Sequence, residues 1–111
     1  MKSPEFKDYV VDQLLSWSDE VIGRSMFGGF GLYVSGVMFA LISDDALYIK
    51  VGETNKELFK EIESYPFTYS HKNGKKVSLS YWYIPDDIIE DHSALSAFAT
   101  SSLLVAQNTK K

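Results

Sequence analysis

Arg24-Ser25-Met26-Phe27-Gly28-Gly29-Phe30-Gly31-Leu32-Tyr33, continued by Gly36-Val37-Met38-Phe39-Ala40, is the stretch on which the fold turns. It holds too much glycine for a helix, where each Gly costs about 1 kcal/mol relative to Ala. It is too apolar for a loop. It reads as extended chain interrupted where only glycine fits. Met26-Phe27 and then Phe30, Leu32 and Val34 are expected to form one strand with a break at Gly28-Gly29. Such a break serves a bulge, a positive φ or the close approach of another backbone. A phosphate-cradling loop would need G-x-G-x-x-G between a strand and a helix. Here the spacing differs and a strand follows, so the glycines of this stretch, Gly31 included, are read as serving shape.

Outward from this stretch the signals are local and regular. Ser35-Gly36 has the composition of a two-residue hairpin turn. Val37-Met38-Phe39-Ala40-Leu41-Ile42 is an apolar run of central-strand length, and Ser43-Asp44-Asp45 turns the chain again. Leu47, Ile49 and Val51 alternate with Tyr48 and Lys50, the period of a half-buried strand. Upstream, Ser3-Pro4-Glu5 opens a helix expected over residues 4–17, with Phe6, Tyr9, Val10, Leu14 and Trp17 on one face. Downstream, Thr54 with Glu57 reads as a capping box before a short helix carrying Leu58, Phe59, Ile62 and Tyr65, stopped by Pro66. Phe67-Thr68-Tyr69 is a brief strand. Asn73-Gly74 marks a hairpin, and Val77, Leu79, Tyr81 and Tyr83 alternate along a longer strand. Asp86-Asp87 opens a helical turn. Asp91 or Ser93 starts a last helix with Leu95, Phe98, Ala99, Ser102, Leu103 and Ala106 on one face, and its tail is expected to fray.

The resulting order is α-β-β-β-α-β-β-α: a two-layer α+β domain with a mainly antiparallel five-stranded sheet and helices on one face. With 111 residues there is room for one core, so residues 1–111 are expected to form a single domain. There is no Cys, hence no disulfide. No apolar leader or membrane-length run is present, which places the expected home of the chain in the cytosol and off the membrane. The formal net charge of −4 opposes direct binding to duplex DNA, whose phosphates need cations.

His71 and His92 are the only histidines and lack ligand spacing, so no metal is expected. Asp86, Asp87, Glu90 and Asp91 match acids that complement a helix dipole. No triad or nucleophile elbow is present, so no catalytic residue and no cofactor are assigned. Arg24 could grip an anion or a partner's carboxylate. Lys72, Lys75 and Lys76 put a basic tip on an acidic protein, a candidate nucleic-acid contact that equally guards strand ends from pairing. If Tyr81 and Tyr83 face the helices, Trp82 faces outward and becomes an interface candidate.

The run 24–31 resembles the signature of the TfoX/Sxy family, in its N-terminal domain. The match continues in Gly36-x-Met38-Phe39-Ala40, Leu47-Tyr48-Ile49-Lys50-Val51, Tyr65-Pro66-Phe67-Thr68-Tyr69 and Tyr81-Trp82-Tyr83-Ile84-Pro85. The resemblance covers about residues 5–106. It implies a fold like that of secretion chaperones, a bacterial cytosolic protein, and kinship with competence regulators that act on transcription through partners. Those regulators carry a helical C-terminal domain, which this resemblance does not reach before the chain ends at Lys111. Many members also have a Trp near the position of Phe98. Taken together, the chain is expected to be a non-enzymatic regulatory or adaptor domain working through protein contacts with an unnamed partner. It is expected to self-associate as a homodimer through its sheet or glycine-rich strand. Arg24, Phe27, Gly28, Gly29, Gly31 and Trp82 are the candidate interaction residues. The alternatives are a nucleic-acid-associated regulator using Lys72, Lys75 and Lys76, or a small-ligand site at Arg24 and the glycines.

Overall fold

The computed structural model describes residues 4–26, 28–70 and 72–109. Ser3, Phe27, His71 and the last two lysines, all invoked above, lie outside the described residues. The chain folds as α1 (Pro4–Leu14), β1 (Ile22–Met26), β2 (Gly29–Val34), β3 (Val37–Ser43), β4 (Ala46–Lys50), α2 (Lys56–Glu61), β5 (Pro66–Ser70), β6 (Lys76–Ile84), α3 (Asp86–Ile89) and α4 (His92–Thr109). The strands form one sheet in the order β1-β2-β3-β4-β6-β5, with every neighbouring pair antiparallel. The α+β, two-layer reading holds.

The expected strand with a break is instead two strands, which raises the described sheet from five to six. Gly28 has φ 78° and reverses the chain, so that Met26 pairs with Gly29 and Arg24 with Gly31. A hairpin needs a positive φ at its turn, and Gly28 supplies it without steric cost. A Cβ added to Gly29 would collide with the Ile42 carbonyl of β3. The next two turns have positive φ at both central residues, Ser35 and Gly36, then Asp44 and Asp45. That geometry matches the twist of the flanking strands. The Asn73-Gly74 hairpin is present as well: Gly74 has φ 88°, and Asn73 Oδ1 accepts the Lys75 N–H at 3.0 Å.

The helices cover one face. Leu32, Ala40, Ile42, Leu47, Ile49 and Ile84 point from the sheet into the core and meet Val10, Leu14, Phe59, Leu95, Ala99 and Ala106. Phe39 joins them because the β2–β3 register slips by one residue. Leu32 pairs with Ala40 and Tyr33 with Met38, leaving Phe39 as the extra residue of a bulge. It packs on Trp17 at 5.3 Å between ring centroids, and Trp17 Nε1 donates to Thr100 Oγ1 at 2.8 Å. This ties the segment after α1 to α4. No described helix is long and apolar enough to cross a membrane.

The capping box does not form. The residue ahead of α2 is Asn55, and its buried side chain closes the preceding loop instead. Its Oδ1 accepts the Gly52 N–H at 2.8 Å, while Nδ2 donates to the Lys50 carbonyl and to Ser101 Oγ. Asparagine carries both a donor and an acceptor, and here it uses both. The sheet has two unlike rims. At β1 the strand is free of proline; at β5 it starts with Pro66, its register shifts between Pro66 and Thr68, and exposed Lys72 follows.

Candidate functional site: the uncovered sheet face

Side chains alternate across a strand, so the face opposite the core is read directly from the register. It carries Arg24 and Met26 of β1, Tyr33 of β2, Met38 and Leu41 of β3, and Tyr48 and Lys50 of β4. Leu79, Tyr81 and Tyr83 of β6 and Phe67 and Tyr69 of β5 complete it. Helix α4 contacts β3 and β4 from the core side. The outer face has no cover among the described residues.

The face is aromatic and ordered by ring contacts. Tyr48 meets Phe67 edge-on at 4.9 Å and Tyr83 at 6.0 Å, Tyr65 stacks on Tyr83 at 5.1 Å, and Phe67 neighbours Tyr69 at 6.3 Å. Such pairs add about 0.5–1.5 kcal/mol each beyond area burial. Cations lie on rings: Arg24 Cζ is 5.7 Å from the Tyr33 centroid and Lys50 Nζ 5.0 Å from that of Tyr81. Lys50 also donates to Ser80 Oγ at 3.0 Å. Gly31 leaves a gap that Met26, Met38 and Tyr33 lean into; a Cβ there would lie 2.7 Å from the Met26 sulfur.

Three phenols of this face are shifted upward, Tyr48, Tyr81 and Tyr83. Burial pushes Tyr81 above its ordinary value, and the nearby Tyr33 adds to it. Burial does the same at Tyr48, helped by Tyr65, Tyr83 and Asp44, and at Tyr83, helped by Asp86, Tyr65 and Asp87.

Trp82 does not face outward. It pairs with Ile49 on the core side and meets Phe59 edge-on at 6.3 Å, while Tyr81 and Tyr83 take the open face. The face assignment of β6 is therefore the reverse of the expected one. Ile84 was the available signal: it shares Trp82's parity and is fully buried. The same parity argument would have brought forward Tyr33, Tyr48, Tyr81 and Tyr83, which the candidate set omits. Arg24, Gly28, Gly29 and Gly31 do gather in one corner, the β1–β2 hairpin. Lys72, Lys75 and Lys76 are exposed at the tip of the β5–β6 hairpin.

A shallow depression lies between Tyr33, Gly36, Met38, Lys50 and Tyr81 at one end of the face, and a second lies between Gly52, Lys56, Pro66 and Trp82. Arg24 lines neither. Among the described residues there is no group of three or more His, Cys, Asp or Glu side chains able to hold a metal. The acids at 86, 87 and 91 stand at helix starts, and Asp91 Oδ1 accepts the Ala94 N–H at 3.2 Å.

The described residues thus form an α+β layer with one sheet face bare of helices and rich in tyrosine. The profile of the TfoX N-terminal domain matches residues 12–106, and the chain belongs to that family. It is 28% identical to Protein Sxy of Escherichia coli (strain K12) over 111 residues, which is 99% of this chain and 53% of Sxy. The chain thus spans about half the length of the curated relative it matches.

Proposed function

We propose that this chain is a non-enzymatic regulatory or adaptor domain of the bacterial cytoplasm, akin to the N-terminal half of competence regulators, and that it works through protein contacts made by its open sheet face. The observation that carries this reading is that face itself. It presents Tyr33, Tyr48, Phe67, Tyr69, Tyr81 and Tyr83 with no helix over them, and tyrosine is enriched where proteins meet. A photo-crosslinking residue at Tyr69, in cells, tests it, with Leu104 on exposed α4 as the control. Tyr69 is expected to give a protein adduct and Leu104 none. Adducts at Leu104 alone, or none at either position, would overturn the reading.

One observation favours a second reading. No carboxylate occurs between Glu63 and Asp86, so the lysine tip and its tyrosines form an acid-free arm on an acidic protein. Such an arm suits single-stranded nucleic acid, with bases stacked on tyrosine. A nuclease-sensitive adduct at Tyr69 supports that reading, and so does binding of a labelled single strand that falls steeply with salt and with K72E/K75E/K76E.

A further inference from the structure

Charge is unevenly placed along the open face. Among the described residues no strand contains Asp or Glu, so the carboxylates lie beyond the strand ends. The register says which end each occupies. Leu47 pairs with Ile84, so the Asp44-Asp45 turn before β4 and the Asp86-Asp87 start of α3 after β6 share one end. Lys50 pairs with Tyr81, and β6 begins at Lys76, so Lys50, Lys72, Lys75 and Lys76 mark the opposite end. Asp86, Asp87 and the three hairpin lysines are all exposed. Near β4, β6 and β5 the face is therefore mainly cationic at one end, with Glu53 just past β4, aromatic in the middle and acidic at the other, while Arg24 on the β1 rim stands level with Tyr48 and Tyr83.

A surface with that order is its own complement. Turned over about a two-fold axis running across the strands, a second copy brings its acidic end onto the first copy's lysines, and its lysines onto the first copy's acids. The same operation puts the aromatic middles against each other. Isologous two-fold contacts have this self-matching property, and aligned sheets pack about 10 Å apart with their strands within about 30° of each other. We propose that a second copy of this chain covers the open sheet face, with the two sheets antiparallel and the lysine-bearing end of each over the acidic end of the other. This rests on the adaptor reading above and names the occupant of its surface. Opposite charges also set the register: parallel stacking would carry the hairpin lysines of each copy over β1 and β2 of the other, away from its acids.

Sedimentation equilibrium at high micromolar concentration is the test, with three proteins: the unaltered chain, K72E/K75E/K76E, and D86K/D87K. All five positions are exposed, and circular dichroism checks that each variant folds. The unaltered chain is expected to be a dimer that weakens as salt rises. Each variant alone is expected to be monomeric, because in one the new Glu side chains meet Asp86 and Asp87 of the other copy, and in the other the new Lys side chains meet Lys72, Lys75 and Lys76. An equimolar mixture is expected to restore a dimer of one variant with the other, since both end contacts are then again of opposite sign. A monomeric unaltered chain, or a mixture that stays monomeric, overturns the proposal. If that happens while Tyr69 still crosslinks to a different protein, the dimer fails and the adaptor reading stands. If Tyr69 crosslinks to no protein, the adaptor reading fails as well.

Discussion

At Gly29 one added carbon would overlap the Ile42 carbonyl oxygen, and that oxygen belongs to a neighbouring strand that has nowhere to go. Gly29→Ala is expected to cost about 3 kcal/mol, read as a lowered urea midpoint with an unchanged slope. Gly74→Ala makes a useful contrast. Its φ is 88° but nothing lies within reach of a new Cβ, so its cost should stay near about 1 kcal/mol. Ser102 works in the opposite direction. Its hydroxyl is fully buried and has no hydrogen-bond partner, and the Phe98 carbonyl one turn back is taken by Ser101. Ser102→Ala removes an unpaired polar group and improves helix propensity. It is expected to raise stability by about 1 kcal/mol, visible as a higher melting temperature.

Elements follow from such residues, and they were legible in the sequence to different degrees. The apolar spacing of α4 was plain, because Leu95, Ala99, Ser102 and Ala106 recur at helical intervals and all are buried. The hairpins at Ser35-Gly36 and Asn73-Gly74 were plain as well, because those residues accept positive φ. Gly28-Gly29 was harder: a break within one strand and a turn between two share the same glycines. Only pairing partners far along the chain distinguish them. The start of α2 shows the competition most clearly. Thr54 and Glu57 have capping spacing, yet the buried group is Asn55, which bonds Gly52, Lys50 and Ser101. Local spacing could not reveal that Ser101, 46 residues on, would supply one partner. Asn55→Ala strands these groups in the interior and is expected to cost about 2–3 kcal/mol, whereas exposed Thr54→Ala should cost under about 0.5 kcal/mol in the same denaturation experiment.

For the whole molecule, the two layers differ in what sequence periodicity discloses. The core layer was visible because apolar residues repeat. The open layer was half-visible: the alternation in β6 was seen, but its parity was set by Ile84 and by pairing with Leu47 and Ile49. The shared titration of that layer can be measured. Tyr81, Tyr48 and Tyr83 each have phenols raised above their ordinary value, burial being the largest cause at each. From about pH 10 up to the higher folded-state values, the native chain keeps protons that the unfolded chain gives up. Stability contributed by these phenols is therefore fully present below about pH 10 and falls as pH rises through that window. Denaturation midpoints should decline above that pH, and Tyr81→Phe should make the decline shallower while leaving neutral-pH behaviour nearly unchanged.

The unlike rims of the sheet give the molecule one receptive edge and one closed edge. At β5 a proline without an N–H, a slipped register and a following lysine refuse an incoming strand; at β1 the ladder is unobstructed save for Arg24. Under heat or crowding, chains should therefore join edge to edge only through β1, two at a time, and a proline placed at Ser25 would close that side.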